Sequence, residues 1–487
     1  MNPFIAIAGS ALSGVIASTA FAPWDIPWIV VPAIAAWLWL LRRMASSRLI
    51  TVLLSGFAFG WGYMGPLIWW MNAVDRAAWI ALVMAQAVFY VLIAWALRAV
   101  LRLPGWPLWA AAVWMAGESL RGAIPLSGFP WGRLAHTTID TPMESWVRLV
   151  GMPATTFVLA ILATLFVLVA ERPRRVLPAA VAGGALVLCG ALLPIGLAGS
   201  GDTHRVAVVQ GGTPGPFLDW PRGEIFELHL EATAEIDEPV DMVLWPENAM
   251  DIDPLTEAWA GDRLTEASRE VGAPILAGGI LNGPTSTTAY NAGFVWTPRG
   301  HQETYVKRKL VPYGEYVPFR QQLGDLVPRI DRDIPRDMLP GDDAGDLRIG
   351  GAVIGDTICW DIAYDGIVRE AIGGGAEFLV VQTSNASFEG TSQLRQQWNI
   401  SRLRAIETGR YVVVPSTNGI SGVVSPDGEV VTEAPLLEPT VMIEDITGAS
   451  GTTPAQRLAA PLEGLIAGLA LIGLVAAWRI RRRGRRS

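Results

Sequence analysis

The sequence predicts a multi-span α-helical membrane bundle of about eight helices carrying an inserted α/β domain. Three observations predict it. Apolar residues concentrate in 1–198 and again in 461–478, whereas 203–455 has the mixed composition of a water-facing domain. Only 17% of the 487 residues are charged, and the mean hydropathy is +0.35. Within 203–455, short β-branched runs alternate with helical patterns, which is how a layered sheet domain reads. The chain therefore divides into 1–200 with seven spans, 203–455 as one domain, and 456–487 as a closing span with a basic tail.

A helix that crosses a bilayer needs about 20 mostly apolar residues. Such runs lie at 4–21, 26–41, 49–71, 77–97, 107–121, 147–170, 177–198 and 460–478. The fifth is the least regular, because Glu118 and Arg121 interrupt it. The first has no Lys or Arg ahead of it and another span follows directly, so it reads as a retained span rather than a cleaved signal. Arginine placement gives the orientation. Arg42, Arg43 and Arg48 follow the second span, Arg98 and Arg102 the fourth, Arg172, Arg174 and Arg175 the sixth, and Arg479–Arg486 the eighth. All fall on one side, expected to be cytoplasmic, with both termini there and 203–455 outside the cytoplasm. The loop after the fifth span carries Gly128-Phe-Pro-Trp131. With Glu118 and Arg121 it has two readings, an interfacial aromatic belt with a snorkelling arginine or a headgroup-docking surface.

The net charge of −8 averages two regions. The water-facing part is acidic, with Asp331, Asp333, Asp337, Asp342, Asp343 and Asp346, while the tail is basic. An acidic domain argues against a nucleic-acid partner. Cys189 lies in the apolar run Val181–Leu197 and Cys359 in the water-facing domain, so no disulfide is expected. The four histidines, His136, His204, His229 and His301, are scattered and none is near Cys359 in sequence. That argues against a Cys–His protease and a zinc site, and no metal or cofactor is expected. Of 37 basic residues only Lys307 and Lys309 are lysines.

Strands are expected at Arg205–Gln210, Asp241–Trp245, Pro274–Gly279, Asn291–Thr297, Thr304–Lys307, Gly350–Cys359, Ala376–Thr383, Tyr411–Thr417 and Val423–Pro426. Helices are expected at Pro221–Ala234, Leu255–Val271, Tyr364–Ile372 and Leu394–Gly409, and Pro426-Asp-Gly428 signals a hairpin. Three segments carry chemistry at strand ends: Leu244-Trp-Pro-Glu247-Asn248, Tyr305-Val-Lys307-Arg-Lys309 through Glu315, and Ile354-Gly-Asp-Thr-Ile-Cys359-Trp-Asp361. A thiol titrates near pH 8.5 and needs a base or a cation to become a good nucleophile. Glu247 can accept the thiol proton and later one from an attacking amine. A lysine steadies the thiolate and the oxyanion as a compact charge, which a planar guanidinium does less well. Taken singly, each residue has a plain reading: a partly buried cysteine is usually structural, and a glutamate after a strand is usually a surface charge.

Together these segments resemble the nitrilase superfamily, with Glu, Lys and Cys in that order, and its apolipoprotein N-acyltransferase family most of all. The matching strings are Phe21-Ala-Pro, Glu118-Ser-Leu-Arg-Gly, Gly128-Phe-Pro-Trp, Val208-Val-Gln-Gly, Trp245-Pro-Glu-Asn, Tyr290-Asn291, Leu310-Val-Pro-Tyr-Gly-Glu-Tyr-Val-Pro318 after Lys307, Arg404-Ala-Ile-Glu-Thr-Gly-Arg410 and Thr417-Asn-Gly-Ile-Ser421. The resemblance implies an α-β-β-α sandwich on an eight-helix bundle. It implies Glu247 as general base, Lys307 as thiolate and oxyanion stabiliser, and Cys359 as nucleophile. Lys307 is preferred to Lys309 because it stands eight residues before Glu315, as in the family. Glu315, Asn291, Trp360 and Asp361 are implied as supporting residues. The implied reaction takes an acyl chain from a membrane phospholipid to the amine of a diacylglyceryl-cysteine on a lipoprotein, through a thioester, with no cofactor and with the chain a monomer. A membrane-anchored amidase and a non-catalytic scaffold are the other readings. The sequence departs from the family where Asp361 stands for a glutamate, at Asn385-Ala-Ser-Phe388, and at Gln397-Trp398. The stretch Arg320–Leu347, rich in Pro, Asp and Arg, is the lid candidate.

Overall fold

A computed structural model of the chain describes residues 2–192, 201–214, 220–321 and 334–483. The central part of the lid candidate, 322–333, therefore lies outside the described residues. The chain forms two compact units, one of Met1–Pro194, Gly390–Asn399 and Thr453–Ser487, the other of Ile195–Glu389 and Ile400–Thr452.

In the first unit, helices stand at each apolar run: α1 (Pro3–Ser18), α2 (Val30–Arg43), α3 (Leu49–Leu67), α4 (Arg76–Val100), α5 (Trp106–Ala123), α6 (Ser145–Glu171), α7 (Val176–Leu192) and a last helix at Pro454–Arg483. Among the described residues, four are long and apolar enough to cross a membrane: α3, α4, α6 and the last helix. Side chains set some boundaries. The Asp75 carboxylate accepts the Ala77 and Ala78 amides at 2.7 and 3.0 Å and starts α4. Without water between helices, close packing holds them, and glycines permit it. A Cβ on Gly62 of α3 would lie 2.3 Å from the Ala11 carbonyl oxygen of α1, and one on Gly56 would lie 2.5 Å from that of Tyr90 in α4.

The fifth apolar run folds as one unbroken helix through both charged residues. Neither expectation for that pair holds, because both side chains are buried. Arg121 does not snorkel. Its guanidinium donates to the carbonyls of Phe129 (2.8 Å) and Gly132 (3.3 Å) and to Gln86 (3.3 Å). Glu118 accepts from the Trp114 indole, the Thr156 hydroxyl and the Leu134 amide. The pair satisfies backbone groups of the loop after α5, the Phe129 and Gly132 carbonyls and the Leu134 amide.

The piece Gly390–Asn399 groups with these helices. Its Gln396 amide is buried and donates to the Ala22 and Leu67 carbonyls (2.9 and 3.0 Å). It also accepts from the Trp70 and Trp131 indoles (3.1 and 2.6 Å).

The second unit is built on two sheets. The first has the order β13-β1-β2-β3-β4-β5, with β6 paired to β4. Its strands are β1 (Thr203–Gln210), β2 (Met242–Leu244), β3 (Ile275–Asn282), β4 (Thr288–Thr297), β5 (Gly300–Val306), β6 (Asp337–Met338) and β13 (Thr440–Thr447). The second has the order β12-β11-β10-β9-β8-β7. Its strands are β7 (Asp346–Ile349), β8 (Ala352–Ile358), β9 (Phe378–Gln382), β10 (Val412–Val414), β11 (Gly422–Val424) and β12 (Val430–Glu433). Strands alternate their side chains, so each sheet offers an inner and an outer face. The inner faces meet in one core, with Val208, Leu244 and Leu276 from the first sheet and Ile354, Phe378 and Val413 from the second. Helices α8 (Glu224–Ala234) and α9 (Ala258–Val271) cover the first sheet's outer face through Phe226 and Leu264. Helix α10 (Asp365–Gly373) packs on the second, where Ala371 meets Gly355 of β8. The layers thus run α-β-β-α.

Candidate active site

The predicted site residues all lie in the second unit, most of them just past a strand end. Glu247 follows β2, Lys307 follows β5, Asn291 lies on β4, and Cys359 follows β8. Strands give way to loops here because the residue types change: Trp245-Pro246 ends β2, and Cys359 turns the chain at φ +50° into the 3₁₀ turn Cys359–Ala363. A side-chain-bearing residue in the left-handed region costs about 1–3 kcal/mol and persists only where surrounding structure enforces it. Cys359 is partly buried there, packed against the core between the sheets.

The polar groups form a closed square. Lys307 Nζ donates to Glu247 Oε1 (3.0 Å) and to Glu315 Oε1 (2.9 Å). Asn291 Nδ2 donates to the same two oxygens at 2.7 and 2.8 Å. The other oxygen of each carboxylate takes a backbone amide, Ser384 for Glu247 (2.8 Å) and Val311 for Glu315 (2.7 Å). Lys307 is 2% exposed, and such burial is tolerable only with this pairing. Burial alone would push its ammonium toward the neutral form. Glu247, Glu315 and Cys359 outweigh burial and hold its pKa well above the ordinary lysine value. Lys307 therefore stays a cation and is no proton shuttle. Chemically, the arrangement offers a carboxylate, a fixed ammonium and a thiol at the end of one sandwich.

Lys309 lies outside this square, its ammonium 5.4 Å from the centroid of the Tyr364 ring. Trp360 donates from its indole to the Tyr364 hydroxyl at 2.8 Å. Asp361 joins neither glutamate. It accepts the Tyr305 hydroxyl (2.7 Å) and the Lys309 amide (2.9 Å), tying the turn after β8 to the segment that carries Lys307. Its burial raises the carboxyl pKa to about 6, against the opposing pull of Lys307 and the Tyr305 hydrogen bond. The shorter acid thus serves as a clamp.

Sequence reading missed three contributors. One is the Ser384 amide, which as backbone left no residue signal. Another is Gln382, which closes the apolar run of β9 and donates to the Trp245 carbonyl at 2.7 Å, two residues before Glu247. The third is Asp356, buried between the sheets with neither carboxyl oxygen receiving a hydrogen bond. Its only signal was an acid inside a β-branched run. Among the matched motif residues, Arg404 and Arg410 prove to be staples. Arg404 pairs with Asp365 (2.7 Å) and Glu407, and Arg410 donates to the Ala376, Thr408 and Gly451 carbonyls. Asn385 accepts from Ser416 at 3.3 Å, and Ser421 donates to Gln210 at 2.6 Å.

Comparison with known proteins agrees with this layout. Residues 13–165 match the family model described as apolipoprotein N-acyltransferase N-terminal domain, and residues 205–454 match carbon-nitrogen hydrolase. An apolipoprotein N-acyltransferase of Mycolicibacterium smegmatis is 31% identical, over 91% of this chain and 82% of the relative. One from Azotobacter vinelandii is 30% identical, over 97% of this chain and 94% of the relative. Among solved structures, an amidase from Nesterenkonia sp. aligns at 20% identity over 56% of this chain and 98% of its own, with a TM-score of 0.39. With two relatives matched over most of both chains and both segments covered by family models, the chain belongs to the apolipoprotein N-acyltransferase family.

Proposed function

We propose that the chain transfers an acyl group from a membrane phospholipid to the N-terminal amine of a diacylglyceryl-cysteine on a lipoprotein, through a thioester on Cys359. The observation that supports it most is the buried ammonium of Lys307 shared between Glu247 and Glu315 beside Cys359. In the first half-reaction Glu247 takes the thiol proton and the thiolate attacks the ester carbonyl. Lys307 balances the charge on sulfur and then on the tetrahedral oxygen. The carbon–oxygen bond breaks, the leaving alkoxide takes the proton back from Glu247, and the lysophospholipid departs. In the second, the amine nitrogen attacks the thioester, Glu247 receives its proton, the carbon–sulfur bond breaks, and the amide leaves with the thiol restored. Glu315 and Asn291 hold Lys307 and Glu247 in register. Asp361 and Trp360 hold the turn that carries the nucleophile.

The same reading assigns 1–200 and 456–487 to the membrane and 203–455 to catalysis outside the cytoplasm, with both termini inside. It rests on the apolar helices and the one-sided arginines. Two lipid substrates in one bilayer are already concentrated and oriented.

Intact-mass analysis of the purified protein with phospholipid tests the chemistry. The expected result is a hydroxylamine-labile mass gain of one acyl chain, absent in Cys359→Ala. A wild-type protein that forms no adduct yet acylates the acceptor would refute the thioester route.

A further inference from the structure

We infer that the arginine-bearing end of the helical unit holds a binding site for the phosphodiester headgroup of an anionic phospholipid, separate from the acyl-transfer chemistry. A cavity of about 720 Å³ opens there, lined by Arg42, Arg102, Arg172, Arg175, Glu171 and Trp106 among others. These residues come from three places far apart in sequence: the end of α2, the α4–α5 connection and the end of α6. Orientation by positive charge needs only that arginines lie on one side of the bilayer. It does not need them to converge on one hollow.

The charges in the hollow do not cancel. Arg42 is spent: it makes a two-point pair with Glu171 at 2.8 Å each, donates to the Leu101 carbonyl, and stacks 4.2 Å above the centroid of Trp106. Glu171 is thereby spent as well. Among the described residues Arg102, Arg172 and Arg175 form no ion pair, the one acid of the lining, Glu171, being held by Arg42, and Arg98 adds charge close to Arg102 and Arg481. The α5 helix starts at the cavity wall. Its first amides are already taken, Trp106 donating to the Leu103 carbonyl (3.2 Å) and Leu108 to that of Gly105 (3.1 Å), and Pro107 has no N–H, so the guanidiniums are the donors this hollow offers. Three guanidiniums outside any ion pair, converging beside Trp106, match one chemistry, a phosphate group with an apolar neighbour. A headgroup supplies both; the acyl chains stay in the bilayer beside the helices. This inference rests on the membrane placement of the helices and not on Glu247, Lys307 or Cys359, so either can fail alone.

Native mass spectrometry of the purified full-length protein, loaded with phosphatidylglycerol or phosphatidylcholine, tests it. Wild type is expected to retain phosphatidylglycerol preferentially. Each arginine removed should weaken retention about fivefold, the equivalent of about 1 kcal/mol per basic residue at a lipid surface. Arg102→Gln/Arg172→Gln/Arg175→Gln should lose the preference. Arg43→Gln/Arg174→Gln, which removes arginines from the same connections but not from the cavity lining, should keep it. Equal retention of the two lipids by wild type overturns the site, as does equal loss in both variants. Glycerol phosphate that binds as well as the lipid would reassign the hollow to a soluble anion and overturn the lipid assignment. If the triple variant fails to fold, Arg172→Gln and a salt titration of wild type decide the matter: retention unchanged by salt contradicts the inference.

Discussion

At the scale of single residues, the acid–base partners of the site have separable effects. Lys307 lies about equally far from two carboxylate oxygens, and that geometry suits a compact ammonium. Lys307→Arg keeps the charge but brings a planar fork into a space sized for one nitrogen. Acyl-enzyme formation, read by intact mass over time, should fall by about 10²–10³-fold. A variant within tenfold of wild type would mean that charge alone suffices. Asp361 predicts a pH effect. Its carboxyl pKa rises from 3.8 to about 6 on folding, chiefly through burial. The folded state therefore holds this proton more tightly than the unfolded chain does. The stabilisation is fully present below pH 3.8 and is lost as pH rises through about 6, a change of about 3 kcal/mol. Asp361→Asn removes that titration. Its melting temperature between pH 4 and 7 should drop less than that of wild type, and parallel curves would count against a buried, titrating Asp361. Asp356 offers a contrast. Burial holds its carboxyl well above the usual range, and a Cβ on Gly293 would lie 2.1 Å from Asp356 Oδ2 and 2.2 Å from Gln382 Oε1. Two acceptor oxygens crowd one glycine and neither receives a hydrogen bond, so we expect a proton on Asp356 to bridge to Gln382. Asp356→Asn, which supplies the same donor, should unfold within about 1 kcal/mol of wild type, whereas Asp356→Ala leaves Gln382 without it and costs about 2 kcal/mol. Urea unfolding of both variants distinguishes them.

At the scale of elements, what the sequence made legible follows burial. Strands occupy all nine expected runs, because each is buried on at least one face and rich in branched residues. The hairpin at Pro426-Asp-Gly428 forms, with Gly428 at φ +87°. The strands that were missed lie at edges or are very short. β13 carries Glu444 and Asp445 on its way along β1, and β12 and β7 end the second sheet. An edge strand buries less, so charge masks its alternation. The three residues proposed for catalysis were legible because each follows a strand with a reactive side chain. The closed square around Lys307 was not, since no local pattern encodes contacts between residues 60 apart in sequence. Gln396 was hidden likewise. Nothing in a helical, polar stretch announces that one amide binds two indoles and two carbonyls of distant segments. Gln396→Leu takes an acceptor from Trp70 and Trp131 and a donor from Ala22 and Leu67, all in buried surroundings. Each unmet buried group costs about 1–3 kcal/mol. Thermal unfolding in detergent should show a loss of about 3 kcal/mol or more, and an unchanged melting temperature would show that these groups find other partners.

At the scale of the whole molecule, the arginine asymmetry and the catalytic proposal constrain each other. A thioester made from an outer-leaflet lipid requires the 203–455 segment outside the cytoplasm. The connections bearing Arg42, Arg98 and Arg172 would then lie inside. The two statements come from unrelated physics, nucleophile chemistry and the cost of moving cations through the bilayer, so one experiment can break their agreement. In a Cys189→Ser/Cys359→Ala background, single cysteines placed at Ser46 and at Ser286 report the two sides, since both positions are exposed. A membrane-impermeant maleimide applied to intact cells should label Ser286→Cys and leave Ser46→Cys unlabelled until the membrane is opened. The reverse pattern would put the thiol on the side where a mature lipoprotein's amine is absent, and the acyl-transfer proposal would lose its acceptor. Labelling of both positions before lysis would instead mean that the five apolar runs between the two reporters do not all cross. An even number of crossings would then separate the two reporters, and the assignment of α5 or α7, the charge-bearing helix and the short one, would be the first to change.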